Sequence, residues 1–414
     1  MPSPSIVAPR PFQISVSQAK VDTLKKKLSQ AEFPDELSAS GWDLGVPLSD
    51  MKRLTSAYEQ WDWRQAEDRL NQVPQYHTPV RVDGFEELDM HFVWQESPVE
   101  NAIPLLFVHG VGPGSFLEAL RILPLLSAPP SGPAFHIVAP SLPNHGFSAG
   151  VKTRGFGLKQ YGEACHKLML SLGYDQYVTQ GGDWGFYITR AIGRLYPEHC
   201  KASHLNMLRA PPPSFTKHPV LALQHTLTPY TAREQEGFRR TAWFAREGQG
   251  YFQEQATKPQ TLAYALNDSP AALLAWIYEK LHDWSDAYPW SDDEIFTWVS
   301  IYAFSTAGPG AAHRIYYEAM HTEGFPREEL TEYTPGVKLG LAYNPRELSV
   351  LPRTWCRTLG PVVYESFNES GGHFYATENP ERLARDLKTM FGEGGGAYGV
   401  VKGRNGYDRL KARL

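Results

Sequence analysis

Short apolar runs alternate with helical patterns along most of this chain, and this alternation limits the folds that are open to it. A hairpin-like stretch begins at residue 79, and later runs are typical of buried strands at 103–110, 135–142, 177–182, 201–208, 336–343 and 360–367. Strands that alternate with helices indicate an α/β fold with a mainly parallel sheet, whose ligands bind at the carboxyl ends of the strands. We therefore expect the functional residues in the loops that follow these strands.

Other segments predict additions to this sheet. Residues 1–78 repeat apolar positions at the three- and four-residue spacing of helices, so they predict an N-terminal helical segment. Residues 209–335 are too long for a simple crossover and carry helical patterns, which predicts an inserted helical cap. The cap divides the sheet domain into residues 79–208 and 336–392, and the glycine-rich, polar stretch 393–414 predicts a flexible tail.

Composition narrows the classes of function. With 42% hydrophobic residues and a net charge of -5, the chain is typical of soluble globular proteins and offers no basic field to nucleic acid. The cysteines Cys165, Cys200 and Cys356 lie far apart, so neither a disulfide framework nor a metal site is predicted. No apolar run reaches the roughly 18 residues of a membrane span, so we expect no membrane anchor and a cytoplasmic location.

The stretch GGDWG at 181–185 follows a strand run and precedes a helical pattern, with Asp183 at its centre. Its spacing is that of the nucleophile elbow G-x-S-x-G, in which a sharp turn projects the central side chain above the N-terminus of the next helix. An aspartate that only caps this helix is the alternative interpretation. A carboxylate that attacks a saturated carbon forms an ester that water can cleave, whereas attack on a carbonyl would form an anhydride. The aspartate therefore favours alkyl transfer over acyl transfer.

Cleavage of such an ester requires N–H donors around the nucleophile and a base that activates water. The predicted donors are the N–H of Trp184 and one from Val111 or Gly112, in the glycine-rich loop 107–116, although such a loop can also be a plain turn. His373 follows the last strand run and is the predicted base.

The carboxylate partner of His373 has more than one candidate. Glu347 is preferred because it lies in the loop directly after the strand run that precedes the strand of the histidine. The order nucleophile, acid, histidine is also the order found in hydrolases with this type of elbow. Glu365 and Glu369 are the competing candidates. A carboxylate in this place would orient the imidazole and stabilise its charged form.

Six segments occur in the order of one known family: WDWRQAEDRLNQVPQY, HGVGPGSF, YVTQGGDWG, SHLNM, YNPREL and GGHFYATENPERL. The similarity extends over roughly residues 12–392. Through them the chain resembles the epoxide hydrolase family of the α/β-hydrolase fold, in its microsomal and fungal type with an N-terminal helical segment. The resemblance implies hydrolysis of a small apolar epoxide to a vicinal diol, without a metal or an organic cofactor. The assembly that we consider for this protein is a dimer of two identical chains.

The resemblance also assigns roles to residues. It implies Asp183 as nucleophile, His373 as the base and Glu347 as its carboxylate partner. It further implies two tyrosines in the cap that hold the epoxide oxygen, and these correspond to Tyr251 and Tyr316. Their neighbour Tyr317 competes for the second of these positions.

One departure from the family pattern concerns the loop after the first buried strand run. The family usually reads histidine, glycine, aromatic, proline. Here Val111 and Gly112 separate His109 and Gly110 from Pro113, which is an insertion of one residue without the aromatic. The insertion predicts a displaced oxyanion N–H or a reshaped pocket.

Three other functions are compatible with the same fold. An enzyme that forms a cyclic ether would use a hydroxyl of the substrate instead of water, and a haloalkane dehalogenase would use the same nucleophile with halide donors in the cap. A catalytically inactive binding protein would have kept only the fold, against which the intact nucleophile, acid and histidine argue. The ending Ala412-Arg413-Leu414 resembles a peroxisomal address signal and makes the peroxisome the alternative location.

Overall fold

The computed structural model of the protein describes residues 8–407, and within them the strands form one nine-stranded sheet. The strands are β1 (Arg10–Phe12), β2 (Gln75–Arg81), β3 (Glu87–Gln95), β4 (Ile103–Val108), β5 (Phe135–Pro140), β6 (Tyr177–Gly181), β7 (Cys200–Leu205), β8 (Lys338–Tyr343) and β9 (Val362–Phe367). Their order across the sheet is β1-β2-β3-β5-β4-β6-β7-β8-β9. Strands β1, β2 and β3 pair antiparallel, β3 also pairs antiparallel with β5, and the remaining pairs are parallel.

Helices cover the sheet. Its central strands, such as β4 and β5, are therefore buried along their whole length, which agrees with their apolar sequences. The helices are α1 (Gln18–Ser29), α2 (Leu48–Gln60), α3 (Trp63–Leu70), α4 (Leu123–Ser127), α5 (Leu158–Ser171), α6 (Trp184–Leu195), α7 (Pro219–Leu227), α8 (Ala232–Trp243), α9 (Gly250–Thr257), α10 (Pro259–Asp268), α11 (Pro270–Trp284), α12 (Asp292–Ala303), α13 (Arg314–His321), α14 (Arg353–Cys356), α15 (Tyr375–Glu378) and α16 (Pro380–Phe391). Within residues 8–407, none of the helices combines the length and the apolar character that crossing a lipid bilayer requires.

The N-terminal segment contacts both the sheet and the cap. Strand β1 pairs with β2, so the segment that was predicted as helical also contributes a strand, which is too short to show a strand period. On the other side, the Tyr58 hydroxyl of α2 lies 2.8 Å from Ser300 Oγ of α12, and the Tyr58 ring stacks on Phe296. Arg53 forms an ion pair with Asp292 at 2.7 Å. The segment therefore supports helix α12 from outside.

Between β7 and β8 the chain forms helices α7 to α13, within the range that the sequence predicts for the cap. Helix α12 begins with a capping box, in which Ser291 Oγ accepts a hydrogen bond from the Glu294 N–H and the Glu294 carboxylate accepts one from Ser291. The capping box sets where α12 begins. Helices α12 and α13 carry side chains that reach the loop after β4, as described below.

The C-terminal stretch packs on the sheet domain as far as residue 407, which differs from the flexible tail expected from its composition. Ala397 and Val401 are buried, and the Gly406 N–H donates to the Asn101 carbonyl at 2.8 Å. Glycine-rich composition allows close packing as well as flexibility, and the sequence alone does not separate the two. The ending Ala412-Arg413-Leu414 lies outside the described residues.

Candidate active site

Asp183 lies at a strained turn between β6 and α6. Its backbone has φ 52° and ψ -127°, a conformation that costs a non-glycine residue about 1–3 kcal/mol. A Cβ at Gly185 would lie 2.1 Å from the Val108 carbonyl oxygen of β4, so only glycine allows the helix to approach the sheet so closely. The Asp183 side chain makes no capping hydrogen bond to α6. This geometry favours the nucleophile elbow over the helix-cap alternative.

The loop after β4 surrounds the Asp183 carboxylate. A Cβ at Gly110 would lie 2.9 Å from the Asp183 Cβ, which explains the glycine there. The Val111 N–H donates to Asp183 Oδ1 at 2.8 Å, and the Trp184 N–H also faces this carboxylate and lowers its pKa. Burial raises the pKa of Asp183 above its usual value, while the His373 charge and these two N–H groups oppose the rise. The two donors lie where an oxyanion at this carboxyl group would need them.

Gly112, the other candidate donor in this loop, is directed elsewhere. Its N–H donates to the Tyr302 hydroxyl at 2.8 Å, and that hydroxyl donates to the Gly114 carbonyl at 2.6 Å. Of the two candidates, the structure therefore directs Val111 to the Asp183 carboxylate, despite the inserted residue in the loop. Tyr302 belongs to α12 and was not predicted, because its surroundings in the sequence have only the apolar pattern of a core helix. Through this contact the cap holds the loop.

Glu118 is a second residue that sequence reasoning missed. Its Oε1 accepts a hydrogen bond from the Gly110 N–H at 3.1 Å. Burial raises the pKa of Glu118 to about 7, and the charge of His373 opposes the rise. Glu118 thus holds the start of the loop through the Gly110 N–H. A glutamate among the helical residues after the loop gives no sequence signal for this contact.

His373 contacts both carboxylates of the predicted triad. Its Nδ1 lies 2.5 Å from Glu347 Oε1, and its Nε2 lies 3.6 Å from Asp183 Oδ2, which is beyond hydrogen-bonding distance. Its backbone N–H donates to the Trp284 carbonyl at 2.8 Å. Burial by itself lowers the pKa of His373, but the charge and hydrogen bond of Glu347, together with the charge of Asp183, outweigh it and raise the pKa to about 9. The imidazole is therefore held in a net negative environment.

The two competing candidates for the partner of His373 do not contact this histidine. Glu365 forms ion pairs with Arg353 at 2.6 Å and with Arg357 at 2.5 Å. Glu369 is exposed. Of the three candidate acids, Glu347 is therefore the one that contacts His373.

Tyr251 and Tyr316 line one cavity of about 590 Å³ together with Asp183. Their ring centroids lie 6.0 Å apart with the planes nearly perpendicular, and the Tyr316 hydroxyl donates to the Val111 carbonyl at 2.9 Å. Burial, assisted by the charge of Asp183, raises the pKa of both phenols far above the usual value. Both tyrosines are therefore protonated and able to donate.

Tyr317, the alternative to Tyr316, lies elsewhere. Its hydroxyl accepts from Arg154 at 3.3 Å, its ring stacks on His321, and it is not part of the cavity wall. The remaining wall combines apolar and aromatic residues, such as Trp184 and Phe252, with polar and charged ones. The described residues contain no cluster of three or more metal-ligating side chains.

The parallel sheet, the elbow after its central strand β6 and the later acid and histidine loops define a member of the α/β-hydrolase fold. Two family profiles agree with this: one described as alpha/beta hydrolase fold matches residues 103–288, and one described as epoxide hydrolase N terminus matches residues 9–119. The prediction of the fold is thereby confirmed.

Similar proteins narrow the class further. The chain is 35% identical to a putative epoxide hydrolase of Stigmatella aurantiaca, over 92% of this chain and 84% of that protein. It is 32% identical to epoxide hydrolase 1 of Oryctolagus cuniculus, over 92% and 88% of the two chains. The structure of the Aspergillus niger epoxide hydrolase superposes with a TM-score of 0.79 at 34% identity, covering 92% of this chain and 95% of that one. The chain belongs to the epoxide hydrolase family, as its sequence motifs predict.

Proposed function

We propose that this protein hydrolyses epoxides to vicinal diols through a covalent ester on Asp183. The observation that carries the proposal is one cavity lined by the Asp183 carboxylate and by both Tyr251 and Tyr316. A carboxylate opens an epoxide effectively only when acidic O–H groups stabilise the oxygen that leaves. Both kinds of group face the same space here, which supports ring opening over acyl transfer.

In the first step, Asp183 attacks a ring carbon and forms a C–O bond, while the bond from that carbon to the epoxide oxygen breaks. The oxygen takes a proton from one of the tyrosines and accepts a hydrogen bond from the other. The Tyr316 hydroxyl, which donates to the Val111 carbonyl in the free protein, turns toward this oxygen when substrate binds. The products of this step are a hydroxyalkyl ester of Asp183 and one tyrosinate.

In the second step, His373 takes a proton from water, and the resulting hydroxide attacks the ester carbonyl of Asp183. The bond from this carbonyl carbon to the alkyl oxygen then breaks, and the alkoxide takes the proton of the new carboxyl group and leaves as the diol. The N–H groups of Val111 and Trp184 stabilise the oxyanion. Alkylation has removed the charge of Asp183, which is one of the charges that raise the pKa of His373. The imidazole therefore releases its proton more readily in the ester than in the free enzyme, and the tyrosinate of the first step takes up this proton and becomes a phenol again. The neutral imidazole can then act as a base.

Product analysis tests the function directly. With a panel of alkyl and aryl epoxides, we expect vicinal diols, and with haloalkanes of similar size we expect no release of halide. An epoxide that carries an internal hydroxyl distinguishes the acceptor, because a cyclic ether as its main product would favour the biosynthetic alternative. Halide release without diol formation would contradict the proposal, and so would the absence of any turnover.

Replacing Tyr251 or Tyr316 by phenylalanine is expected to slow alkylation of Asp183 by about a hundredfold, because each variant loses a donor to the developing alkoxide. Hydrolysis of the ester should change little, since its oxyanion is stabilised by backbone N–H groups. Rapid-quench single turnovers separate the two steps. Tyr317→Phe is the matched control, because this ring lies outside the cavity wall. Unchanged alkylation in both variants would exclude the tyrosines from ring opening.

Two further expectations stay predictions. The assembly of two copies into a homodimer is one of them. The cytoplasmic location is the other, with the peroxisome as the alternative that the last three residues suggest.

A further inference from the structure

Two cationic side chains lie in the wall of the active-site cavity, beside its aromatic residues. Arg209 follows the C-terminal end of β7, and Arg327 begins a short 3-10 turn that ends at Thr331. The Arg327 guanidinium lies 5.3 Å from the Phe252 ring centroid and 5.6 Å from that of Tyr187. The cavity therefore offers aromatic surface and positive charge in the same space.

Arg209 has no anionic partner in the part of the chain that the structure describes. It is partly buried in the cavity wall, and no hydrogen bond or ion pair among residues 8–407 involves its guanidinium. A guanidinium carries five N–H donors in a planar fork, and one that is withdrawn from water normally binds a carboxylate or phosphate. Arg209 therefore has the donors of an anion-binding group, and the cavity is the place where an anion can reach them.

The acidic residues of the cavity wall do not pair with Arg209. Asp183 is the proposed nucleophile, and Glu328 is mostly exposed and lies 3.7 Å from Arg327, in a loose ion pair. Burial raises the pKa of Tyr251, and the charge of Arg209 acts against that rise, so Arg209 lies within electrostatic reach of the proposed proton donor. A substrate that binds Tyr251 with its epoxide oxygen can thus extend to Arg209.

We infer that the substrate is an epoxide that also carries a carboxylate, and that Arg209 binds this carboxylate while the apolar part of the molecule lies on the aromatic wall. The inference rests on the proposed function and refines the expectation of a wholly apolar epoxide. A planar carboxylate matches the fork of a guanidinium through two parallel hydrogen bonds. A charged end bound at Arg209 also sets which ring carbon meets Asp183.

The test compares terminal epoxyalkanoic acids of increasing chain length with their methyl esters. At the length that spans from Asp183 to Arg209, the acid should exceed its ester in kcat/KM by about tenfold or more. Arg209→Gln should lower kcat/KM for that acid by about tenfold to a hundredfold, mainly through KM, and should lower that for the ester by a much smaller factor. Arg209→Lys keeps the charge and loses the fork, so it should restore only part of the preference.

Arg246→Gln is the matched control, because Arg246 is an exposed arginine of the cap that pairs with Glu247. It should leave both substrates unchanged. Saturated alkanoic acids should inhibit the wild-type enzyme competitively and more strongly than their amides, and Arg209→Gln should abolish the difference. Ester turnover in each variant shows that the protein is folded.

The outcomes separate this inference from the proposed function. Equal kcat/KM for acid and ester at every length would overturn the inference, and so would an Arg209→Gln variant that slows both substrates equally. Either result leaves epoxide hydrolysis standing. Failure to form a diol from any acid, ester or neutral epoxide would overturn the proposed function, and the inference with it.

Discussion

A single turnover in heavy-oxygen water is expected to leave the diol unlabelled and to place the label in the carboxylate of Asp183. In the proposed mechanism, the oxygen added to the substrate comes from the aspartate, and water attacks the carbonyl carbon of the resulting ester. With enzyme in excess over epoxide, mass spectrometry of the diol and of the peptide that contains Asp183 measures both sites. Direct attack of water on the epoxide predicts the opposite distribution. Label in the first diol, with none in the peptide, would therefore end the covalent mechanism.

Asp183→Asn is the appropriate inactive variant for this experiment. Asparagine adopts a positive φ more readily than most residues, so it fits the strained backbone at φ 52° better than alanine does. It keeps the shape of the side chain and loses the nucleophile, so turnover should fall by about four orders of magnitude or more. Thermal unfolding close to that of the wild type would show that the loss is chemical.

His373→Gln is expected to accumulate the ester of Asp183. Alkylation requires no base, whereas hydrolysis requires removal of a proton from water, so the variant should complete the first step and stop before the second. Loss of a general base slows the assisted step by about a hundredfold to ten-thousandfold. Intact-protein mass spectrometry should detect an increase equal to the mass of the epoxide, in an amount close to one per active site.

The control for this second experiment is His199→Gln. His199 is partly exposed, contacts Asp175 and is not part of the cavity wall. This variant should turn over normally and carry no adduct. A His373→Gln variant that releases diol at the wild-type rate without any adduct would assign water activation to another group. Glu118 would then be the group to examine, because it lies near both Asp183 and His373 and burial raises its pKa to about 7.

Local features of the chain were sufficient to predict the sheet and the elbow at Asp183. The strand runs from β4 to β9 are recognisable because each is a short apolar stretch between helical patterns. The elbow is recognisable because a side chain at Gly185 would collide with β4, so this position must be glycine. Gly185 lies two residues after Asp183, and this short spacing is visible in the sequence. His373 was predictable for a similar reason, since it lies in the loop after the last strand of the sheet.

The residues that contact Asp183 and His373 were harder to predict from the sequence. Glu347, Glu365 and Glu369 lie close together along the chain, and only the paired strands β8 and β9 show which of them meets the histidine. The choice between Val111 and Gly112 likewise depends on Tyr302, which is distant in the sequence and approaches the loop only when the cap folds over it. No local pattern encodes such an approach.

The sequence by itself therefore determined the fold class, the family, the position of Asp183 and a short set of candidates for each other role. The tertiary structure alone decided which carboxylate contacts His373 and which N–H faces Asp183. It also decided that the last described residues pack on the sheet and that Arg209 faces the cavity without a partner among residues 8–407. The physical reason is that backbone conformation and burial pattern are properties of neighbouring residues. Contacts between side chains, and the charges that shift their pKa values, depend on how distant segments are brought together by the sheet and the cap.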